Sequence, residues 1–161
     1  MTVHEPQPPR LRRQAMAMRL VNVAMRRILA LPFSTPLSKR LMLLYLTGRR
    51  TGRSYRQPVS YVRPEDSLLT PAGGRWKLNL QAGRPERIRL DGHDVTARPD
   101  LIGDIDEIDR LLMVMTASNP RTASFTPIPR RDDGHFDRSG LANAVAHGFG
   151  IIRWHLDHPD R

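Results

Sequence analysis

The segment Leu46-Thr47-Gly48-Arg49-Arg50-Thr51-Gly52-Arg53 sets three arginines in a turn whose two glycines lie four residues apart. Glycine tolerates positive φ where other residues clash, so the backbone can reverse sharply here. Guanidinium groups held this close repel one another unless an anion sits among them, and a tight turn also offers free backbone N–H groups. The pattern reads as an anion cradle or, on spacing alone, as a solvated basic hairpin tip. Other chemistries find no support. The chain has no cysteine, which excludes disulfides, thiolate zinc sites and cysteine nucleophiles. Its six histidines show no HxxxH or HExxH spacing, so no metal is expected. No Gly-rich phosphate loop with a following Lys, dinucleotide fingerprint or GxSxG elbow occurs.

The elements that would position this turn follow from periodicity. Leu41–Thr47 is an apolar strand candidate entering it, and Tyr55–Val62 is a second strand leaving it. Pro58 cannot donate to a ladder, which argues for an edge or a bulge. Ser67–Thr70 reads as a third strand and Arg75–Gln81 as one or two helical turns. Arg87–Leu90 and His93–Ala97 flank Asp91-Gly92, a hairpin signal. Asp104–Ala117 carries acids in its first turns and Ile105, Ile108, Leu111, Leu112 and Met115 on one helical face. Residues 118–147 read as a long polar loop with a short helix near Leu141–Val145, and Gly150–Leu156 as a closing strand. Many short strands with few helices imply an α+β, mainly β domain built as a small antiparallel barrel.

Charge is unevenly distributed. Residues 1–63 carry 13 Lys/Arg against one acid (Glu5), whereas residues 64–161 carry 13 against 15. The basicity belongs to the N-terminal part and points to an anionic partner there. Residues 1–10 read as a disordered lead, residues 11–31 as an amphipathic helix and residues 37–161 as the barrel domain. In the helix Met18, Val21, Met25, Ile28 and Leu29 recur at helical spacing, interrupted by Arg12, Arg13, Arg19, Arg26 and Arg27. Those arginines exclude a membrane span. The stripe suits either packing on the domain or lying on an anionic membrane surface. Nucleic acid is disfavoured, because the basic stretch 10–56 has only Phe33, Tyr45 and Tyr55 as stacking aromatics.

An apolar strand ending in Thr47-Gly48-Arg49-Arg50-Thr51-Gly52, then Pro58-Val59-Ser60-Tyr61, then Arg75-Trp76-Lys77-Leu78-Asn79-Leu80 is an ordered combination. From Leu41 to Ala97 it resembles the deazaflavin-dependent nitroreductase family of actinobacterial proteins that use coenzyme F-420. The resemblance implies a split β-barrel of the FMN-binding type, with the deazaflavin in a groove beside it. It implies Arg49, Arg50 and Thr51 on the cofactor's phosphate and glutamyl tail. It further implicates Tyr55, Arg56, Gln57, Pro58, Val59 and Ser60 along the cofactor, then Thr70, Pro71, Ala72 and Gly73, and finally Arg75, Trp76 and Asn79. The chain departs from better-known members at Ala72 and Gly73, where those carry a Ser-Lys pair. It also has no tyrosine after Tyr61. Phe125, His135, Phe136 and Phe149 are the candidates to line the ring instead.

The function so implied is hydride transfer from reduced F-420 to an organic acceptor such as a quinone, a nitro compound or another conjugated electrophile. The protein's part is binding, orientation and water exclusion; water, Ser60 or His135 could supply the proton. Two alternatives remain open: a split-barrel reductase using FMN, and a non-enzymatic basic protein bound to lipid or nucleic acid. A cytoplasmic protein is expected, peripheral to the inner face of the plasma membrane if the helix meets lipid, with monomer and homodimer both open.

Overall fold

The computed structural model describes residues 9–126 and 128–157. In chain order the elements are α1 (Pro9–Leu29), β1 (Leu41–Thr47), β2 (Ser54–Ser60), β3 (Leu68–Ala72), a short 3-10 helix (Arg75–Asn79), β4 (Glu86–Leu90), β5 (His93–Ile102), α2 (Ile105–Ser118), a second 3-10 helix (Pro120–Phe125), α3 (Arg138–Ala146) and β6 (Gly150–Leu156). The expected disordered lead falls mostly on residues 1–8, outside the described residues, and α1 begins at Pro9.

The six strands form one antiparallel sheet in the order β2-β1-β4-β5-β6-β3. Its edges meet at one end only. Val62, just past β2, exchanges both backbone hydrogen bonds with Leu69 at 2.9 Å. Beyond that bridge β2 and β3 have no ladder between them. The result is a split barrel in a mainly β, α+β fold. Pro58 sits on edge strand β2, as its missing N–H requires. Pro99 is less expected, since β5 is internal, but β4 ends its pairing at Ala97. From there only β6 needs β5's donors, so the strand runs past the expected limit at Ala97 to Ile102.

Alternation along the strands makes two cores. Met42, Leu44, Leu46, Val59, Leu68, Ile88, Ile152 and Trp154 fill the barrel interior. Leu69 and Ile151 point outward, where Ile108, Leu111, Leu112 and Met115 of α2 and Leu141 of α3 cover them. β6 serves both cores with successive residues and is therefore apolar on both faces. α2 starts where Asp104 accepts a hydrogen bond from the Glu107 amide at 2.9 Å, and α3 where Asp137 accepts one from Gly140 at 2.8 Å. The expected loop at 118–147 thus contains a second 3-10 helix as well as α3. The β4–β5 turn has φ of 47° at Asp91 and 83° at Gly92, the pair of positive angles a two-residue hairpin demands. A Cβ at Gly92 would lie 2.5 Å from the Phe33 backbone, so glycine is required there twice over.

α1 departs from the compact picture. Among its described side chains only Leu29 is buried, while Leu20, Val21 and Ile28 are 63%, 53% and 41% exposed. Of the stripe's described side chains Val21 and Ile28 are exposed, Met25 is half-buried and Leu29 is buried. No helix among the described residues is long and apolar enough to cross a membrane.

Candidate cofactor site

The arginine turn is fixed by its own backbone. Gly48 N donates to Arg53 O at 2.9 Å and Gly52 N to Gly48 O at 2.8 Å, with Gly52 at φ 65°. A positive φ at that point would strain any side chain-bearing residue. The turn is also clipped to the first 3-10 helix by one side chain. Asn79 Oδ1 accepts from the Arg49 amide at 2.9 Å, and Asn79 Nδ2 donates to Tyr55 Oη at 2.5 Å and to Trp76 O at 3.2 Å. Asn79 therefore joins the β1–β2 turn, strand β2 and the element after β3, which form the open end of the barrel.

This clip brings Gly48, Arg49, Arg50, Thr51, Arg75 and Asn79 around a cavity of about 150 Å³. None of Arg49, Arg50 and Arg75 has a carboxylate partner among the described residues. Three arginines without a carboxylate partner around one concavity suit an anion, because each guanidinium offers forked N–H donors and their mutual repulsion falls when a negative charge enters. Leu78, 46% exposed, lines this cavity and also a second one of about 390 Å³. The second is apolar, with Ala72, Leu80, Leu101 and Phe149 among its walls and Lys77 as its one ionisable residue. Lys77 Nζ donates to Ala72 O at 3.2 Å, and burial lowers the lysine's pKa.

The remaining expected residues divide by strand alternation. Tyr55, Gln57 and Val59 point to the barrel interior; Tyr55 and Trp76 pack half-buried against its core, and Val59 is part of that core. Arg56, Pro58 and Ser60 alternate to the outer face, where the Arg56 guanidinium lies 5.9 Å from the Tyr45 ring centre. Thr70 is fully buried and accepts from the Trp154 indole at 3.2 Å, so it belongs to the core, while Pro71 faces outward. Ala72 lines the apolar cavity, and a Cβ added at Gly73 would lie 3.9 Å from the Phe149 ring. Of the aromatic candidates Phe149 alone lines this cavity. Phe136 is buried under α2 and His135 is bound to Asp109 at 2.6 Å, both lining a different cavity; the Phe125 side chain lies outside the described residues. His135 is thereby removed from the proton donors near this site.

Sequence reasoning did not single out Lys77, Leu78, Leu80 or Leu101. The signal was present in part, since Lys77 interrupts the Trp76–Asn79 motif and is one of two lysines in the chain. A larger concavity, about 800 Å³, lies at the opposite end of β1, lined by Lys39, Arg40, Arg63, Asp91 and Arg121. It contains none of the residues gathered by Asn79. No group of three or more potential metal ligands occurs among the described residues.

A coenzyme with a flat ring and a polyanionic tail matches this donor set, its charged end suited to the three guanidinium groups and its ring to the apolar walls. A solved structure described as a domain-swapped dimer covers 86% of this chain and 99% of its own, at 14% identity and a TM-score of 0.48. No curated protein matches the chain. The family model described as F420H2-dependent quinone reductase matches residues 17–128, well over half of the sequence and all of the segment that holds the arginine turn, Trp76 and Asn79. The chain belongs to the F420H2-dependent quinone reductase family.

Proposed function

We propose that this protein binds reduced coenzyme F-420 across the two joined cavities and reduces a quinone or a similar conjugated acceptor. The observation that carries the reading is the meeting of Arg49, Arg50 and Arg75 in a cavity that shares Leu78 with an apolar one. When bound, the coenzyme supplies a hydride. The chain's own residues do the rest. Arg49, Arg50 and Arg75 hold the phosphate and carboxylates of the tail, and the Thr51 hydroxyl and the turn's amides add donors. Trp76 and Tyr55, anchored through Asn79, keep the open end of the barrel in shape. Leu78, Leu80, Leu101 and Phe149 exclude water from the acceptor, which prolongs its stay beside the ring and strengthens every polar contact made there.

The test is a fluorescence titration with F-420, repeated on Arg49→Ala/Arg50→Ala, with FMN as the control ligand. Loss of two charge-assisted contacts, each about 1.5–3 kcal/mol, weakens binding by at least about a hundredfold. Equal affinity of both proteins for F-420, or wild-type binding of FMN alone, refutes the reading.

A compatible second role rests on α1. Its exposed Leu20, Val21, Val23 and Ile28, with Arg19, Arg26 and Arg27 on the same helix and no acid in its first turn, fit an anionic bilayer surface. A lipid-soluble quinone would then be met at the membrane.

A further inference from the structure

We propose that Lys77 is the proton donor to the acceptor in the apolar cavity. This rests on the preceding reading of that cavity as the place of reduction. Every other residue lining it is apolar or glycine, so Lys77 is the one group there able to release a proton or face a developing negative charge. One of its N–H groups is directed to Ala72 O at 3.2 Å. Its other two have no protein acceptor among the described residues. Gly148 lies beside the ammonium, where a Cβ would stand in ordinary contact at 3.9 Å from Nζ. The lysine is carried on the same 3-10 helix as Asn79 and Trp76, the element clipped to the arginine turn, so the donor and the tail site move as one piece. Burial disfavours the charged form and makes this ammonium a stronger acid than an exposed lysine.

Reduction of a quinone to a hydroquinone takes two electrons and two protons. The hydride from the reduced deazaflavin brings both electrons and one proton. The second proton passes from Lys77 Nζ to a quinone oxygen, the N–H bond breaking as the O–H bond forms, and the neutral amine is recharged from water. General acid catalysis of this kind contributes about 10²–10⁴-fold.

The chain has only two lysines, Lys39 and Lys77, so isotope labelling of lysine side-chain nitrogens yields two signals that a single variant assigns. With menadione as the probe and no cofactor present, the Lys77 signal is expected to shift and that of Lys39 to stay. In turnover with reduced F-420 and menadione, wild-type kcat is expected to fall as pH rises through the Lys77 pKa measured by NMR. Lys77→Gln keeps a donor for Ala72 O and Lys77→Arg keeps the charge, but neither releases a proton readily. Both are expected to lose about a hundredfold in kcat and the alkaline limb, with F-420 affinity unchanged. Retention of kcat and of the limb in Lys77→Arg, with F-420 still bound, overturns the assignment while leaving the cofactor reading intact. Failure of the wild type to bind F-420 removes that reading and the assignment with it.

Discussion

Asn79→Ala removes the side chain that ties the two banks of the split together. Three hydrogen bonds go: to the Arg49 amide, the Tyr55 hydroxyl and the Trp76 carbonyl. Each is worth about 0.5–1.5 kcal/mol net, and the exposed Arg49 amide recovers part of its share from water, so the loss is about 2 kcal/mol. For a chain of this size that lowers Tm by about 4–8 °C. Tyr55→Phe removes only one of the three bonds and is expected to cost about 1 kcal/mol. Binding responds separately, because the freed turn must be re-ordered around the ligand. Immobilising two long side chains again costs about 1–3 kcal/mol, a weakening of F-420 binding of about 5- to 150-fold. Asn79→Asp adds a diagnostic: it keeps the acceptor for the Arg49 amide but sets a carboxylate among three guanidinium groups. It can accept from the Tyr55 hydroxyl but loses the bond to Trp76 O, so its stability should lie between those of wild type and Asn79→Ala while its affinity falls below that of Asn79→Ala. Thermal melts and fluorescence titrations on the four proteins decide the matter. A melt shift of the expected size with unchanged affinity in both Asn79 variants would refute the argument that this clip positions the anion site.

Two further expectations follow. Glu107 is held down to about 2, first by the Arg110 guanidinium and then by Arg153, which links α2 to β6. A depressed carboxylate stabilises the fold above its ordinary value of 4.5 and loses that contribution as pH falls towards 2, so denaturation midpoints should drop across this window in the wild type and less in Glu107→Gln. Deleting residues 1–29 should abolish flotation with anionic vesicles and leave F-420 binding intact; flotation that survives the deletion sinks the lipid role of α1.

Much of the frame was legible because local signals and tertiary needs agreed. Asp91-Gly92 specifies its hairpin by backbone angles alone, Asp104 marks the start of α2, and Pro58 demands an edge. The arginine turn was legible as a cluster, and so were the motif residues around Trp76. What could not be read was which of them share a face. Arg56 and Ser60 flank Gln57 and Val59 in sequence yet turn outward, a consequence of register that depends on β1. That the Thr70 hydroxyl accepts from Trp154, 84 residues away, is equally beyond any local pattern. The apolar cavity escaped notice for the same reason. Its walls come from the 3-10 helix, the end of β5 and the approach to β6, which no local pattern connects. In α1 the periodicity marks a helix but left open whether the domain or a membrane covers its stripe, since a stripe records amphipathicity without naming what covers it.

The place of β6 in the sheet has a bearing on synthesis. β3 has a full ladder with β6 alone, and β6 is inserted between β3 and β5 from the far side of the sequence. While the ribosome is still translating α3, the strand that carries Thr70 and Ala72 has no partner beyond its single bridge to Val62. The barrel interior then lacks Ile152 and Trp154, and the outer core lacks Ile151. Pairings this distant in sequence form late, because loop closure must precede the contacts that reward it. The nascent chain can therefore display its arginine turn and the β1–β2 hairpin well before it owns an apolar cavity. On the proposed function, cofactor capture waits until β6 has been made, and a chain cut short before Gly150 is left with an unpaired apolar strand for quality control to recognise.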